Sequence, residues 1–161
     1  MRIAVIPGDG IGPEVIDAAL GVLRAAANAF GLPLDIDRLP WSADYYLQTN
    51  VTLPPNGYDY LREFDAILLS HMLEHIVPEE QEKILTLYLP FLKENGLVAI
   101  LVPQEAGYRS DPTHVTFMDH EKMEELGHKF SLRRVASYSF PFPRWVGMYF
   151  RHNESVMLLR K

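Results

Sequence analysis

The sequence predicts an α/β protein, a three-layer α/β/α sandwich around a six-stranded, mostly parallel sheet. Three observations predict it. Short apolar runs alternate with helical patterns from one end of the chain to the other. Two of those runs, Asp65–Ser70 and Leu97–Val102, are continuously apolar, as strands of a buried parallel sheet are. The last two runs, Leu132–Ser139 and Ser155–Arg160, have no helix between them, so one of the pair runs antiparallel.

The elements follow in order. Arg2–Pro7 is a short apolar strand, followed by the glycine-rich PGDGIGPE. Pro13 suits a first helical turn, and Val15, Ile16, Ala19, Leu20, Leu23, Ala27 and Phe30 recur at helical spacing up to Gly31. Leu34, Ile36 and Leu39 alternate with Asp35, Asp37 and Arg38, the pattern of a half-exposed strand whose charges guard a sheet edge. Trp41–Gly57 is irregular, holds the turn LPPNG and is expected to be poorly ordered. A short helix over Tyr58–Glu63 leads into Asp65–Ser70.

Pro78–Lys93 reads as an amphipathic helix with Glu79 and Glu80 in its first turn and Asn95-Gly96 past its end. Gln104–Met118 reads as a polar loop and Asp119–Phe130 as a helix. The aromatic residues of FPFPRWVGMYF, Phe140 to Phe150, are expected to cover the end of the sheet. The right-handed crossover rule then gives a Rossmann-like sheet of order 2-1-3-4-6-5 with strand 6 antiparallel, all in a single domain over residues 1–161.

Bulk composition narrows the function classes. The chain has 161 residues, 48% apolar and 22% charged, enough to bury about two-thirds of its unfolded surface. A net charge of −6 disfavours nucleic acid and anionic membranes as partners, since both need a basic face. Absence of cysteine removes disulfides and Cys-based zinc sites. With no membrane-length apolar run and a strand at the first residues, a cytoplasmic protein, monomeric or homodimeric, is expected.

Two motifs point to chemistry. His71, Glu74 and His75 have the His-x-x-Glu-His spacing of an inverted zinc-peptidase motif, which works only where both histidines share a helix face. Here the motif sits where a strand ends and Pro78 marks the next helix start, so no metal site is expected from it. Gly8, Gly10 and Gly12 lie between a strand and a helix, where backbone can approach a ligand and helix N–H groups face an anion. Their G-x-G-x-G spacing differs from the dinucleotide G-x-G-x-x-G, and a plain tight turn explains them as well.

The phrases IAVIPGDGIGPEVIDAALGVLRA and WSADYYLQTNVTLPPNGYDYLREFDAILL, residues 1–69, resemble the amino terminus of the β-decarboxylating dehydrogenases of the isopropylmalate, isocitrate and tartrate type. That family's substrate arginines, catalytic tyrosine and lysine, and metal-binding aspartates lie beyond the matched part. The resemblance therefore implies no dehydrogenase activity here. From Phe64 onward, DAILLSHMLEHIVPEEQEKILTLYLPFLKENGLVAILVP, SDPTHVTFMDHEKMEELGHKF and NESVMLLRK are similar to the carboxyl half of class I S-adenosylmethionine-dependent methyltransferases.

That second family holds its cofactor with an acidic residue ahead of a glycine loop and a second acid at the end of strand two. Ile6 stands at the first position, and Asp37 lies before the end of its strand. The resemblance implies Gly8, Gly10, Gly12, Ser70 and His71 as the residues that would touch S-adenosylmethionine if it binds.

Both families carry a strand close to DAIxL beside strand one, so a crossover near residues 66–67 preserves the neighbours of that strand. The expectation is an engineered chimera, residues 1 to about 66 from one fold and about 67 to 161 from the other. It has no catalytic residues and no cofactor. Residual binding of S-adenosylmethionine or S-adenosylhomocysteine, or weak methyl transfer, is the alternative.

Overall fold

A computed structural model describes residues 2–5, 12–51, 54–62 and 64–161. The chain divides into two compact units, Met1–Asp65 and Ala66–Lys161.

In the first unit, β1 (Arg2–Val5) pairs in parallel with β2 (Asp35–Arg38), joined by helix α1 (Gly12–Phe30). α1 ends where the glycine pattern predicts, with Gly31 at φ 63°, a left-handed conformation that costs a residue without Cβ little. Arg2 ties the unit together. Its guanidinium donates to Asp37 Oδ2 at 3.0 and 2.5 Å, and its backbone N–H donates to Asp65 Oδ2 at 3.0 Å. Asp65 N–H in turn reaches Arg2 O at 3.5 Å.

The irregular stretch after β2 contains a helix that apolar periodicity does not reveal, α2 (Ala43–Thr49). Capping chemistry forms it: the Ser42 side chain accepts from Tyr45 N–H at 3.1 Å, and Asn50 closes it in the left-handed region at φ 55°. Its side chains are largely exposed, Leu47 at 78%, so no buried stripe marks it. A short helix α3 (Gly57–Leu61) follows.

In the second unit, β3 (Ala66–Ser70), β4 (Leu97–Pro103), β5 (Arg133–Phe140) and β6 (Glu154–Arg160) form one sheet in the order β3-β4-β6-β5. β3 and β4 are parallel, and β6 runs antiparallel to both of its neighbours. The protein is thus a mixed α/β fold with parallel ladders and the expected antiparallel strand. The described ladders make two sheets, of two and four strands. A β1–β3 ladder, which the order 2-1-3-4-6-5 requires, is not among the described pairings.

Helices α4 (Pro78–Tyr88) and α6 (His120–Lys129) supply Leu85, Met123 and Leu126 to a core with Leu69, Val98, Ile100, Val102, Met157 and Leu159 of the sheet. The register explains the grouping: Leu69 lies opposite Ile100, Ile100 opposite Met157 and Val98 opposite Leu159, so all project on one face. The continuous apolar run of β3 predicts burial on both faces, but Leu68 is 64% exposed. Within this unit the core lies on one face of the sheet.

Three features depart from the sequence reading. α4 stops at Tyr88 and passes into a 3-10 turn, Leu89–Phe91, because Pro90 has no N–H to continue the ladder. The stretch read as a polar loop after β4 holds a helix, α5 (Glu105–Ser110). The aromatic stretch does not close over the sheet end: Phe140, Trp145 and Tyr149 are 59, 68 and 79% exposed. What anchors it is polar instead. Buried Gln104 donates to Ser139 Oγ and Glu154 O, both at 2.9 Å, and accepts from Asn153 Nδ2 at 3.0 Å.

Candidate functional site

In open α/β sheets, ligands sit outside the carboxyl ends of the parallel strands. In the second unit that place is the turn after β3. His71 N–H still bonds to Leu101 O at 3.0 Å, as the strand would, and then the backbone leaves at φ 50°. A residue with a Cβ rarely adopts that conformation, and its surroundings must hold it there. They do so through charge. His71 Nε2 lies 2.9 Å from Glu154 Oε1 at the start of β6, and Nδ1 lies 3.3 Å from Glu74 Oε1.

These contacts, Glu154 first and Glu74 second, push the His71 pKa up to about 10 against the opposing effect of burial. The ring is an imidazolium at neutral pH, already engaged at both nitrogens.

Leu73–His75 form a 3-10 turn rather than an α-helix, so His71 and His75 do not share a helix face. The turn is fastened from both sides. Gln81 Nε2 donates to Leu73 O at 2.7 Å from within α4. Val115 N–H and Thr116 N–H donate to Glu74 O at 2.8 and 3.0 Å, and Thr116 Oγ1 donates to Ile76 O at 2.8 Å.

The loop thus carries His114 to His75, with ring centroids 4.6 Å apart. His114 also stacks on Tyr108 and shares Nδ1 with Tyr108 O at 2.9 Å. That bond holds His114 in its loop, and its meeting with Glu74 and His75 depends on a fold contact that no local spacing encodes. Glu74, His75 and His114 are the described residues whose donor atoms cluster closely enough to hold a metal ion.

Of the residues implied for S-adenosylmethionine, Ser70 and His71 lie at the end of β3, Ser70 exposed. Gly12 opens α1, whereas Gly8 and Gly10 lie outside the described residues. Asp37, the strand-two acid, is engaged by Arg2 and by Tyr60 OH at 2.8 Å, and these contacts, Tyr60 first, hold its carboxyl below the usual range.

Among the described residues, two cavities stand away from this turn. One of about 240 Å³ lies between α4 and α6, lined by residues including Gln81, Met118, Lys122 and Lys129. Another of about 340 Å³, in the first unit, is lined by Arg24, Ala27, Asn28, Leu32, Leu34 and Ile36. Neither includes Ser70, His71 or Glu74. Among the described residues no helix is long and apolar enough to cross a membrane.

The fold defines a class first. Its likeness is to S-adenosylmethionine-dependent methyltransferases. A SAM-dependent methyltransferase from Archaeoglobus fulgidus superimposes with a TM-score of 0.58 at 16% identity, over 99% of this chain and 86% of that one. The N-methyltransferase NodS from Bradyrhizobium japonicum gives 0.53 at 12% identity, over 99% and 73%. At such identities the likeness is one of fold.

The sequence match lies elsewhere. The family model for isocitrate/isopropylmalate dehydrogenase matches residues 2–115, and the chain belongs to that family. Tartrate dehydrogenase/decarboxylase of Pseudomonas putida is 49% identical over 67 residues, 41% of this chain and 18% of the relative. D-malate dehydrogenase [decarboxylating] of Escherichia coli is 44% identical over 68 residues, 42% of this chain and 19% of the relative. The chain spans about a fifth of the length of these relatives. It therefore combines a dehydrogenase-like amino-terminal part with methyltransferase-like structure.

Proposed function

We propose that this chain is an engineered recombination of two α/β fragments, one six-stranded domain of order 2-1-3-4-6-5, which folds without catalysing a reaction. The observation that carries this reading is a mismatch between two likenesses, in which the dehydrogenase family model itself runs over residues 2–115. Curated dehydrogenase likeness runs over 67 to 79 residues and a fifth of each relative, whereas the fold neighbours are methyltransferases over 99% of the chain. The chemistry at the strand ends supports it. His71 is paired with Glu154 and Glu74, so the ring is neither a free base nor an open ligand contact. Asp37 is likewise held by Arg2 and Tyr60.

A second reading is favoured by one specific observation, the fold likeness to NodS in complex with S-adenosyl-L-homocysteine, at a TM-score of 0.51. In that reading the glycine loop and Ser70 hold S-adenosylhomocysteine or S-adenosylmethionine weakly. The experiment that separates the two is a calorimetric titration with S-adenosylhomocysteine, with NAD as control. No heat with either, from a protein that melts cooperatively, is the expected outcome for a silent fold. Micromolar binding that Gly10→Val abolishes overturns it in favour of a binding module. The same preparation, run in light scattering, measures whether the chain is a monomer or a homodimer.

A further inference from the structure

We propose that Glu74, His75 and His114 form a binding site for a divalent transition-metal cation of the zinc class. The three residues each offer one donor atom, and these atoms lie within 4.8 Å of one another. Small side-chain adjustments bring three such donors onto one ion at about 2.0–2.2 Å each.

A second, independent observation points to the same place. Glu74 is 1% exposed, and neither of its carboxylate oxygens makes a hydrogen bond. A buried carboxylate without hydrogen-bond donors is costly, and the His71 imidazolium beside Oε1 offsets only part of its charge. His71 Nδ1 stands 3.3 Å from Oε1, which leaves Oε2 as the oxygen open to an ion.

The tautomers follow from the partners. Thr113 Oγ1 donates its single proton to Asp111 Oδ1 at 2.6 Å, so toward His75 Nδ1, 3.0 Å away, it can only accept. His75 therefore carries its proton on Nδ1. His114 Nδ1 faces the carbonyl of Tyr108 at 2.9 Å, which also only accepts. Both histidines are thus anchored through Nδ1–H with the Nε2 lone pair left over, the arrangement in which an outer hydrogen bond fixes a metal-binding ring. Asp111 Oδ2 lies 3.9 Å from His114 Nε2, too far to claim that lone pair by a hydrogen bond.

Two imidazoles and one carboxylate suit zinc, cobalt or nickel. Magnesium and calcium prefer shells made only of oxygen. Three protein ligands leave a fourth position for solvent, on the side of exposed His75. The ion would cross-link the turn after β3 to the loop that follows α5, along the backbone bonds that already join Glu74 to Val115 and Thr116. His71 of the His-x-x-Glu-His spacing takes no part; the third ligand comes from the distant loop.

The site is independent of whether the chain binds S-adenosylhomocysteine. The test is calorimetric titration of the full chain with ZnCl2 at neutral pH, with MgCl2 as control, and visible absorption with CoCl2. The expected result is one zinc per chain at micromolar strength or tighter, cobalt bands of a four-coordinate site, and no magnesium heat. His75→Ala, at an exposed position, weakens zinc binding about 100-fold, and Thr113→Val, which removes the hydroxyl that bonds His75 Nδ1 and Asp111 but keeps the Thr113 carbonyl 3.4 Å from that nitrogen, weakens it by up to about 10-fold. No saturable zinc binding by the cooperatively melting chain overturns the proposal. So does binding that His75→Ala and Thr113→Val both leave unchanged, which would place the ion on His120, His128 or His152.

Discussion

Gly147 lies in the 3-10 turn Arg144–Met148 with its backbone outside the left-handed region, so a side chain there meets a purely steric obstacle. A Cβ at this position would stand 1.8 Å from Gln104 Oε1 and 2.6 Å from Gln104 Cβ. Gly147→Ala therefore displaces the Gln104 side chain. Four hydrogen bonds go with it, to Ser139 Oγ, Glu154 O, Asn153 Nδ2 and, at 3.4 Å, the Arg144 guanidinium.

At about 1 kcal/mol each, with buried partners left unsatisfied, the cost is about 3–4 kcal/mol. With a urea slope near 2 kcal/mol/M, that moves the midpoint by roughly 1.5–2 M. Urea unfolding followed by circular dichroism measures it. Gln104→Gly removes the obstructing atoms, and in that background Gly147→Ala should cost less than about 1 kcal/mol, a coupling of about 2–3 kcal/mol. If Gly147→Ala costs the same in both backgrounds, or is neutral in the parent, the buried Gln104 network does not anchor the carboxyl-terminal segment and the reasoning fails.

Other outcomes follow from the charges and the surface. In metal-free protein, His71 should hold its proton through neutral pH and titrate near pH 10, and Glu154→Gln should lower that midpoint; a His71 NMR signal, assigned by its loss in His71→Gln, that titrates near 6.5 in the parent would refute the pairing. Its raised pKa means the stabilisation is complete below about 6.5 and fades as pH rises through about 10. Glu105 is the opposite case: Arg144 holds its carboxyl below the usual 4.5. Its stabilisation is present above that value and lost as pH falls through the lower folded one, so the melting-temperature gap between parent and Glu105→Gln should close in acid. The exposed aromatic residues around Trp145, 68% exposed, predict concentration-dependent self-association in light scattering, reduced by Trp145→Ser. A parent that stays monomeric at high concentration contradicts it.

The sequence by itself determined the alternation of strands and helices, the parallel β3–β4 pair and the antiparallel β6, because apolar periodicity and the lack of a crossover helix are local and directional signals. It also carried the dehydrogenase likeness, which resides in a contiguous stretch of 67 to 79 residues. α2 was legible only through its caps, Ser42 and Asn50, since a helix that buries little leaves no apolar stripe. α5 lay in a stretch too polar and too short for periodicity to report.

Tertiary structure alone decided the rest. His71 reads as a ligand contact at the end of a strand, yet folding places Glu154, distant in sequence, against its ring and turns it into a buttress. His114 reads as a loop residue, yet two backbone bonds from Glu74 bring it beside His75. The aromatic segment reads as a cover, yet the buried polar side chains of Gln104 and Asn153 hold it while its rings face solvent. Each depends on partners brought together by sheet register, and register is a property of the whole sheet that no single segment encodes.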